Sequence, residues 1–416
     1  MKILHTSDWH LGRLLFGRKR YAESERMLDW MIETIEENDV DAVLIAGDIF
    51  DNVTPSHRAL ELYYDFLHRA SDGGRRPIVV IAGNHDSPAL LDGPRDLLRN
   101  SNVHVLGTPS TDPKDDVVVL CDPTGTPRLI VAAAPHLRDR DLRTAESGET
   151  IDDKERKLQE GIRTHFANLA LAAVDVHATV GADEAVDGPL PIVAMGHLFT
   201  AGGKGSEGDG VRPLYVGSLG HVGADVFSPD FDYVALGHLH VPQRVGKNDT
   251  RRYCGSPLPM NFGESEQEKT VLLVDLLQGG ETPDVVAVPI PRFQRLLSIR
   301  GDWSKIESEI NLATKEDVPT WAEILYEGDE VIADLQEKVR ELTDDTSLEP
   351  LRIRSVRGVG VAMTPSAPEE TLGDLDEEEV FTRCLDANET PDSQRDELLQ
   401  TFREAVHSLQ SEDDGA

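Results

Sequence analysis

Five apolar runs in this chain end on side chains that can bind cations or move protons, and that pattern limits the possible fold more than any other feature. They are residues 2–10 (KILHTSDWH), 42–48 (AVLIAGD), 77–86 (PIVVIAGNHD), 191–197 (PIVAMGH) and 233–240 (YVALGHLH). Each opens with aliphatic, mostly β-branched residues, the pattern of a strand covered on both faces. In four of the five a glycine follows, which would let the backbone turn sharply just before the polar side chain. Five such strands are expected to line up their polar groups along one sheet edge. That edge, at the carboxyl ends of the strands, is where open α/β folds place their chemistry.

The intervals predict helices. Residues 21–38 carry Met27, Trp30, Met31, Thr34 and Ile35 at helical spacing, and residues 56–70 and 152–174 read as two more helices. Alternation through the third run gives a βαβαβ order with parallel strands and right-handed crossovers. Residues 175–188 are polar and read as a loop. Residues 202–210 (GGKGSEGDG) are glycine-rich but lack the GxxxxGK[ST] spacing, so they read as a mobile loop and not a phosphate cradle. From residue 291 the pattern changes to RLLSIRG, WSKIESEINLA, TWAEILYEG, VIADLQEKVRELTD and LEPLRIRSVRG, a second and smaller βαβαβ unit. The expected division is a first domain at 1–285, a small domain at 291–360, a Pro- and acid-rich linker at 361–376 and a helical tail at 377–416. One tail segment shows Val380, Phe381, Cys384 and Leu385, the other Leu398, Leu399, Phe402, Val406 and Leu409. These amphipathic stripes dock either on their own protein or on a partner.

Net charge is −35, from 76 acidic and 41 basic residues. Such a surface argues against strong DNA binding by the chain alone, because neutralising phosphates takes clustered Lys and Arg. One cluster exists: Arg13, Arg18, Lys19 and Arg20 follow the first run at once. Cys121, Cys254 and Cys384 form no CxxC pair, which fits a reducing cytoplasm. The first residues lack the apolar core of a secretory leader, and no apolar run is long enough for a membrane span.

Asp8 and His10 sit two apart at a strand end, so both side chains are expected to point the same way. His238 and His240 repeat that arrangement. With Asp48, Asn84 and His197 they make seven nitrogen and oxygen donors and no thiolate. That is too many for one tetrahedral zinc, and suits two divalent ions sharing one carboxylate. Mixed imidazole, carboxylate and amide ligation favours Mn²⁺, with Fe²⁺, Zn²⁺ or Mg²⁺ as alternatives. Two ions about 3.5–4 Å apart can hold a phosphate, activate water and stabilise in-line displacement. A lone GD or GH is more often a turn; the series of them carries the inference. His5 falls on the strand face opposite Asp8 and reads as core. For His57, His136 and His221 the pattern assigns no role.

The order DxH, GDxxD, GNHD, GH, GHxH, carried by Asp8 and His10, Asp48 and Asp51, residues 84–86, His197, and His238 and His240, resembles the calcineurin-like metallophosphoesterases. HTSDWHLGR, GDIFDNVTPS, PHLRDRDLR, FDYVALGHLHVPQ and YCGSPLPMNFGE are more closely similar to the SbcD family, nuclease subunits of bacterial SbcCD DNA-repair complexes. The resemblance implies an α/β metallophosphoesterase sandwich with a small βαβαβ capping domain and C-terminal helices. It implies one cation held by Asp8, His10, Asp48 and His240, and a second held by Asp48 (bridging), Asn84, His197 and His238. His85 would stabilise the transition-state phosphate or protonate the leaving oxygen, Asp86 would orient its ring, and Asp51 would support Asp48 or a bound water. Arg13, Arg18, Lys19 and Arg20 would contact DNA phosphates. The family further implies 3′→5′ exonuclease and hairpin-opening endonuclease activity with an SbcC-type ATPase. It implies a homodimer within a heterotetramer, formed through the helices at 56–70 and 90–100. Two other readings stay open. A nucleotide or small-molecule phosphoesterase would suit the acidic charge but needs neither capping domain nor tail. A non-catalytic scaffold would have no physical need for all seven donors.

Overall fold

The computed structural model describes residues 1–143, 149–181, 188–200, 222–328, 332, 334–355 and 395. The chain divides into two compact units, residues 1–294 and 295–416. In the first unit all five apolar runs form strands, divided between the two sheets of the sandwich that the resemblance implies and not lined up along one sheet edge. One sheet runs in the order Asp284–Pro289, Thr270–Asp275, Lys2–Thr6, Ala42–Ala46, Ile78–Ile81, Val103–Leu106, its last four strands parallel. The other runs Gln243–Arg244, Arg251–Tyr253, Tyr233–Gly237, Ile192–His197, Pro127–Ala134, Val117–Cys121, with antiparallel edges and a parallel centre.

Strand alternation sends neighbouring side chains into different layers. Val43 and Ile45 pack with Met27, Met31 and Phe66 of helices Tyr21–Glu37 and His57–Ala70. Ala42, Leu44 and Ala46 pack between the sheets with Val193, Met195 and Tyr233. Ala194 and Val234 turn to a third core with Phe166 and Leu169 of helix Ile151–Val180. The result is helix, sheet, sheet, helix, which is why the central strands are apolar on both faces.

The helices carry ordinary start signals. The Ser56 hydroxyl accepts the Ala59 N–H at 3.2 Å, and Thr150 with Asp153 forms a capping box. The long helix continues to Val180, past the Val174 end expected, because Val176 and Val180 extend its packed face. Residues 90–100 are two short helices, Pro88–Asp92 and Arg95–Arg99, on either side of Gly93 and Pro94.

The sharp glycine turns are only partly as predicted. Of Gly47, Gly83, Gly196 and Gly237, only Gly47 has positive φ, at 89°. Gly237 is there for close approach: a Cβ would collide with the Ala46 carbonyl oxygen in the facing sheet. Gly237→Ala is therefore expected to cost about 1–3 kcal/mol or more by overpacking, read from denaturant unfolding; parent-like stability would mean the sheets can part there at little cost.

In the second unit Arg295–Gly301, Thr320–Tyr326 and Leu348–Ser355 form a parallel sheet in sequence order. Helices Trp303–Thr314 and Leu335–Thr343 set Ile306, Ile310 and Val339 against Ile299, Ala322 and Ile324. The expected linker at 361–376, the tail stripes, the loop at 202–210 and His221 lie outside the described residues. Among the described residues no helix is long and apolar enough to cross a membrane.

Candidate metal centre

The strand ends of the two sheets bring the donor side chains together, and there the backbone is unusual. Asp8, His10, Asp48 and His238 have φ of 55°, 46°, 51° and 100°, values that non-glycine residues seldom adopt and that surrounding bonds must hold. Those bonds are present. The Asp8 N–H donates to the Gly47 carbonyl at 2.9 Å and the His10 N–H to the Asp48 carbonyl at 3.1 Å. The Asp8 carboxylate accepts the His238 N–H at 2.9 Å, and the Asp48 Oδ1 accepts the His85 N–H at 2.9 Å. The first of these carboxylates ties one sheet to the other.

The expected donors form two groups, and among the described residues His10 with Asp51 and His85 forms a third. Asp8, His10 and His240 form one of the two, and Asp48, His197 and His238 the other, with the donor atoms of each group within 4.8 Å of one another. Asp48 Oδ2 lies 3.6 Å from His10 Nε2 and 3.4 Å from His197 Nε2, so one oxygen stands between the groups. Asn84 Oδ1 is 3.1 Å from His197 Nε2 and 2.8 Å from His238 Nδ1. Strand alternation is not what aims these side chains. Asp8 and His10 lie beyond the strand end at Thr6. His238, just past Gly237, joins the Asp48 group while His240 joins the Asp8 group.

The donor set fits cations. His10 Nε2 and His240 Nε2 face each other at 3.1 Å, and burial holds His10 below the ordinary imidazole pKa, which favours a lone pair there. At His197 burial is outweighed by the charge and hydrogen bond of Asp48, and its pKa rises to about 9. Asp48 in turn sits well below the carboxylate range, burial being outweighed by His197 and then His10. A site that draws positive charge this way, offering imidazole, carboxylate and amide oxygen, could hold two divalent ions with Asp48 shared.

The groups behind the donors differ from expectation. Asp51 sits behind His10, not Asp48: its Oδ1 is 3.5 Å from His10 Nδ1 and accepts Arg13 at 2.9 Å. Burial would raise its pKa, but His10 and Arg13 hold it at about 2. Asp86 does not orient the His85 ring. Its buried carboxylate accepts the backbone N–H groups of Ile49, Phe50 and Gly83 at 3.2, 2.9 and 2.8 Å, and burial, then the charge of Asp48, lifts its pKa to about 6. The His85 ring is held instead by the Asp51 backbone carbonyl, 2.8 Å from Nδ1.

Of the four basic candidates, Arg20 is removed by the structure. It is buried, with two bonds to Glu23 at 2.7 and 2.9 Å and one to the Pro259 carbonyl at 2.6 Å. Arg13 is half-buried beside Asp51, while Arg18 and Lys19 are exposed on a small hairpin, Leu14–Leu15 with Arg18–Lys19. His5 is core: it bonds the Tyr233 hydroxyl at 2.9 Å, and burial pulls its pKa down to about 3. His136, left without a role by pattern, stands beside His197, its Nδ1 3.3 Å from that residue's carbonyl.

Sequence reasoning missed Glu264 and Lys269. They are 0% and 4% exposed and form an ion pair at 2.5 Å, with Glu264 Oε1 3.8 Å from His240 Nδ1. The available signal was a lysine one residue before an apolar run, the VLLV of KTVLLV.

Residues 1–242 match the calcineurin-like phosphoesterase family, and residues 292–389 match the family described as Type 5 capsule protein repressor C-terminal domain. The SbcD subunit of the SbcCD nuclease from Escherichia coli (strain K12) is 35% identical over 414 residues, covering 99% of each chain. Its namesakes from Bacillus subtilis and Rhodobacter capsulatus are 37% and 38% identical, over 68% and 70% of each chain. With a family match over more than half its length and a full-length relative of this similarity, the chain belongs to the SbcD nuclease-subunit family of calcineurin-like phosphoesterases.

Proposed function

We propose that this protein is a DNA nuclease subunit that hydrolyses phosphodiester bonds with two divalent cations. The observation that carries the reading is the Asp48 Oδ2 oxygen, 3.6 Å from His10 on one side and 3.4 Å from His197 on the other. Asp8, His10, Asp48 and His240 would hold one ion, and Asp48, Asn84, His197 and His238 the other, with manganese best suited to the donors. When bound, the pair supplies phosphate binding, water activation and charge neutralisation for in-line displacement. The residues around it supply order. His85 donates its Nδ1 proton to the Asp51 carbonyl, 2.8 Å away, which fixes the ring; in the doubly protonated imidazolium the second proton sits on Nε2, where it would stabilise the phosphoryl group or pass to the leaving oxygen, the ring becoming neutral.

Arg18 and Lys19, with Arg13 behind them, would meet the DNA backbone. A net charge of −35 makes so small a basic patch a weak grip. That supports joint binding with a second subunit, and the relatives are named as one subunit of an SbcCD nuclease. The working form we propose is cytoplasmic, two copies of this chain in a heterotetramer with an SbcC-type ATPase. In it the unit at 291–360 serves as cap and the tail at 377–416 as the partner-binding segment. The activities are 3′→5′ exonuclease and hairpin endonuclease.

The test is digestion of linear and hairpin DNA with Mn²⁺, with and without partner and ATP, against a nucleotide diester. Cleavage of both DNAs that stops on chelation is the expected result. Preference for the small diester under every condition would instead favour a nucleotide phosphoesterase.

A further inference from the structure

We infer that Glu264 is a positioning residue for the cation site, its carboxylate holding the His240 ring with Nδ1–H toward Glu264 and Nε2 toward Asp8 and His10. The inference rests on the two-cation reading above.

Neutral imidazole has one protonated and one lone-pair nitrogen, and a ligating ring must present the lone pair. For His240 the ligating atom is Nε2, 3.1 Å from His10 Nε2. Its Nδ1 is buried and finds no hydrogen-bond partner within reach among the described residues; the acceptor it faces is Glu264 Oε1 at 3.8 Å. The other carboxylate oxygen is already engaged, since Glu264 Oε2 accepts Lys269 Nζ at 2.5 Å and the Met260 N–H at 2.9 Å. Lys269 also donates to the His240 carbonyl at 3.2 Å and approaches the Ser256 hydroxyl at 3.1 Å. Carboxylate, lysine and the His240 backbone thus form one braced unit.

A buried ion pair seldom repays its desolvation, and apolar residues would pack that space as stably. An oxygen aimed at the rear of a ligating imidazole has a use beyond packing, because it selects the tautomer and raises ligand basicity. The neighbouring donors follow the same plan. His10 Nδ1 faces Asp51 Oδ1 at 3.5 Å, and His197 Nδ1 donates to the Ala46 carbonyl at 2.8 Å. Glu264 does for His240 what those oxygens do for their rings.

The experiment is calorimetric titration of the full chain with Mn²⁺, comparing parent, Glu264→Leu/Lys269→Met and Glu264→Gln/Lys269→Met. Both double variants leave no charge stranded, and melting temperature monitors their folding. Two ions are expected on the parent; none would overturn the two-cation reading itself. The Leu/Met variant should bind one of the two ions about 10- to 100-fold more weakly, with the other unchanged. The Gln/Met variant, which returns an uncharged acceptor, should recover part of that loss. Parent-like affinity at both sites in the Leu/Met variant, or an equal fall at both, would overturn the role of Glu264 while leaving the two-cation reading standing.

Discussion

Replacing His85 with alanine should slow cleavage of linear DNA about 10²–10⁴-fold, the usual worth of a proton donor placed at the reacting atoms, while two manganese ions stay bound per chain. The variant is clean because the residue contributes two separable things. Its backbone N–H donates to Asp48 Oδ1 at 2.9 Å, and alanine keeps that bond. Its ring, held through Nδ1 by the Asp51 carbonyl at 2.8 Å, is what alanine removes. The loss amounts to about 3–5 kcal/mol of transition-state stabilisation and should fall on kcat, since ring and substrate meet fully only as charge develops on the phosphoryl oxygens. Metal content is measured on the same preparation. Unchanged cleavage would take His85 out of the mechanism. A lost ion would mean that the ring, which packs edge-on against His10 with centroids 4.8 Å apart, is itself a ligand.

What could be read from the chain, and what could not, follows from how local each determinant is. The five runs are visible because a strand covered on both faces has no polar alternation to hide it. The same property conceals which sheet a strand joins: Ala42–Ala46 and Ile192–His197 read alike, yet they sit in facing sheets. The pairing of Lys2–Thr6 with Thr270–Asp275 joins opposite ends of the first unit, and no local pattern announces it. The βαβαβ unit of residues 295–355 was readable element by element because its helices and strands are short, periodic and consecutive. At the site, residue types were legible and directions were not. Alternation assumes extended backbone, and the positive φ at Asp8, Asp48 and His238 breaks it just where the donors begin. Asp86 neighbours His85 in sequence but turns toward Ile49 and Phe50, and the order N-H-D in a loop carries no information about that choice.

That turn of Asp86 makes it a structural anchor, with a larger expected effect on stability than on chemistry. Asp86→Ala strands three buried N–H groups, those of Ile49, Phe50 and Gly83. Leaving such a donor unpaired costs about 1–3 kcal/mol each; a water admitted to the space would recover part, so a loss of about 3–6 kcal/mol is expected in denaturant unfolding. Ile49 and Phe50 follow Asp48, and Gly83 precedes Asn84, so the same substitution should loosen both donor loops and weaken manganese binding. The decisive comparison is a double-mutant cycle with His85→Ala. Were Asp86 the orienter of the His85 ring, the two substitutions would couple by about 0.5–3 kcal/mol, as groups in contact do. With the ring held by the Asp51 carbonyl, most of the Asp86→Ala loss should persist in the His85→Ala background, because the three N–H groups it strands do not involve His85. A loss below about 1 kcal/mol on the single substitution, with cleavage abolished only when His85 is present, would return Asp86 to the catalytic pair and leave the Ile49, Phe50 and Gly83 donors satisfied by some other acceptor.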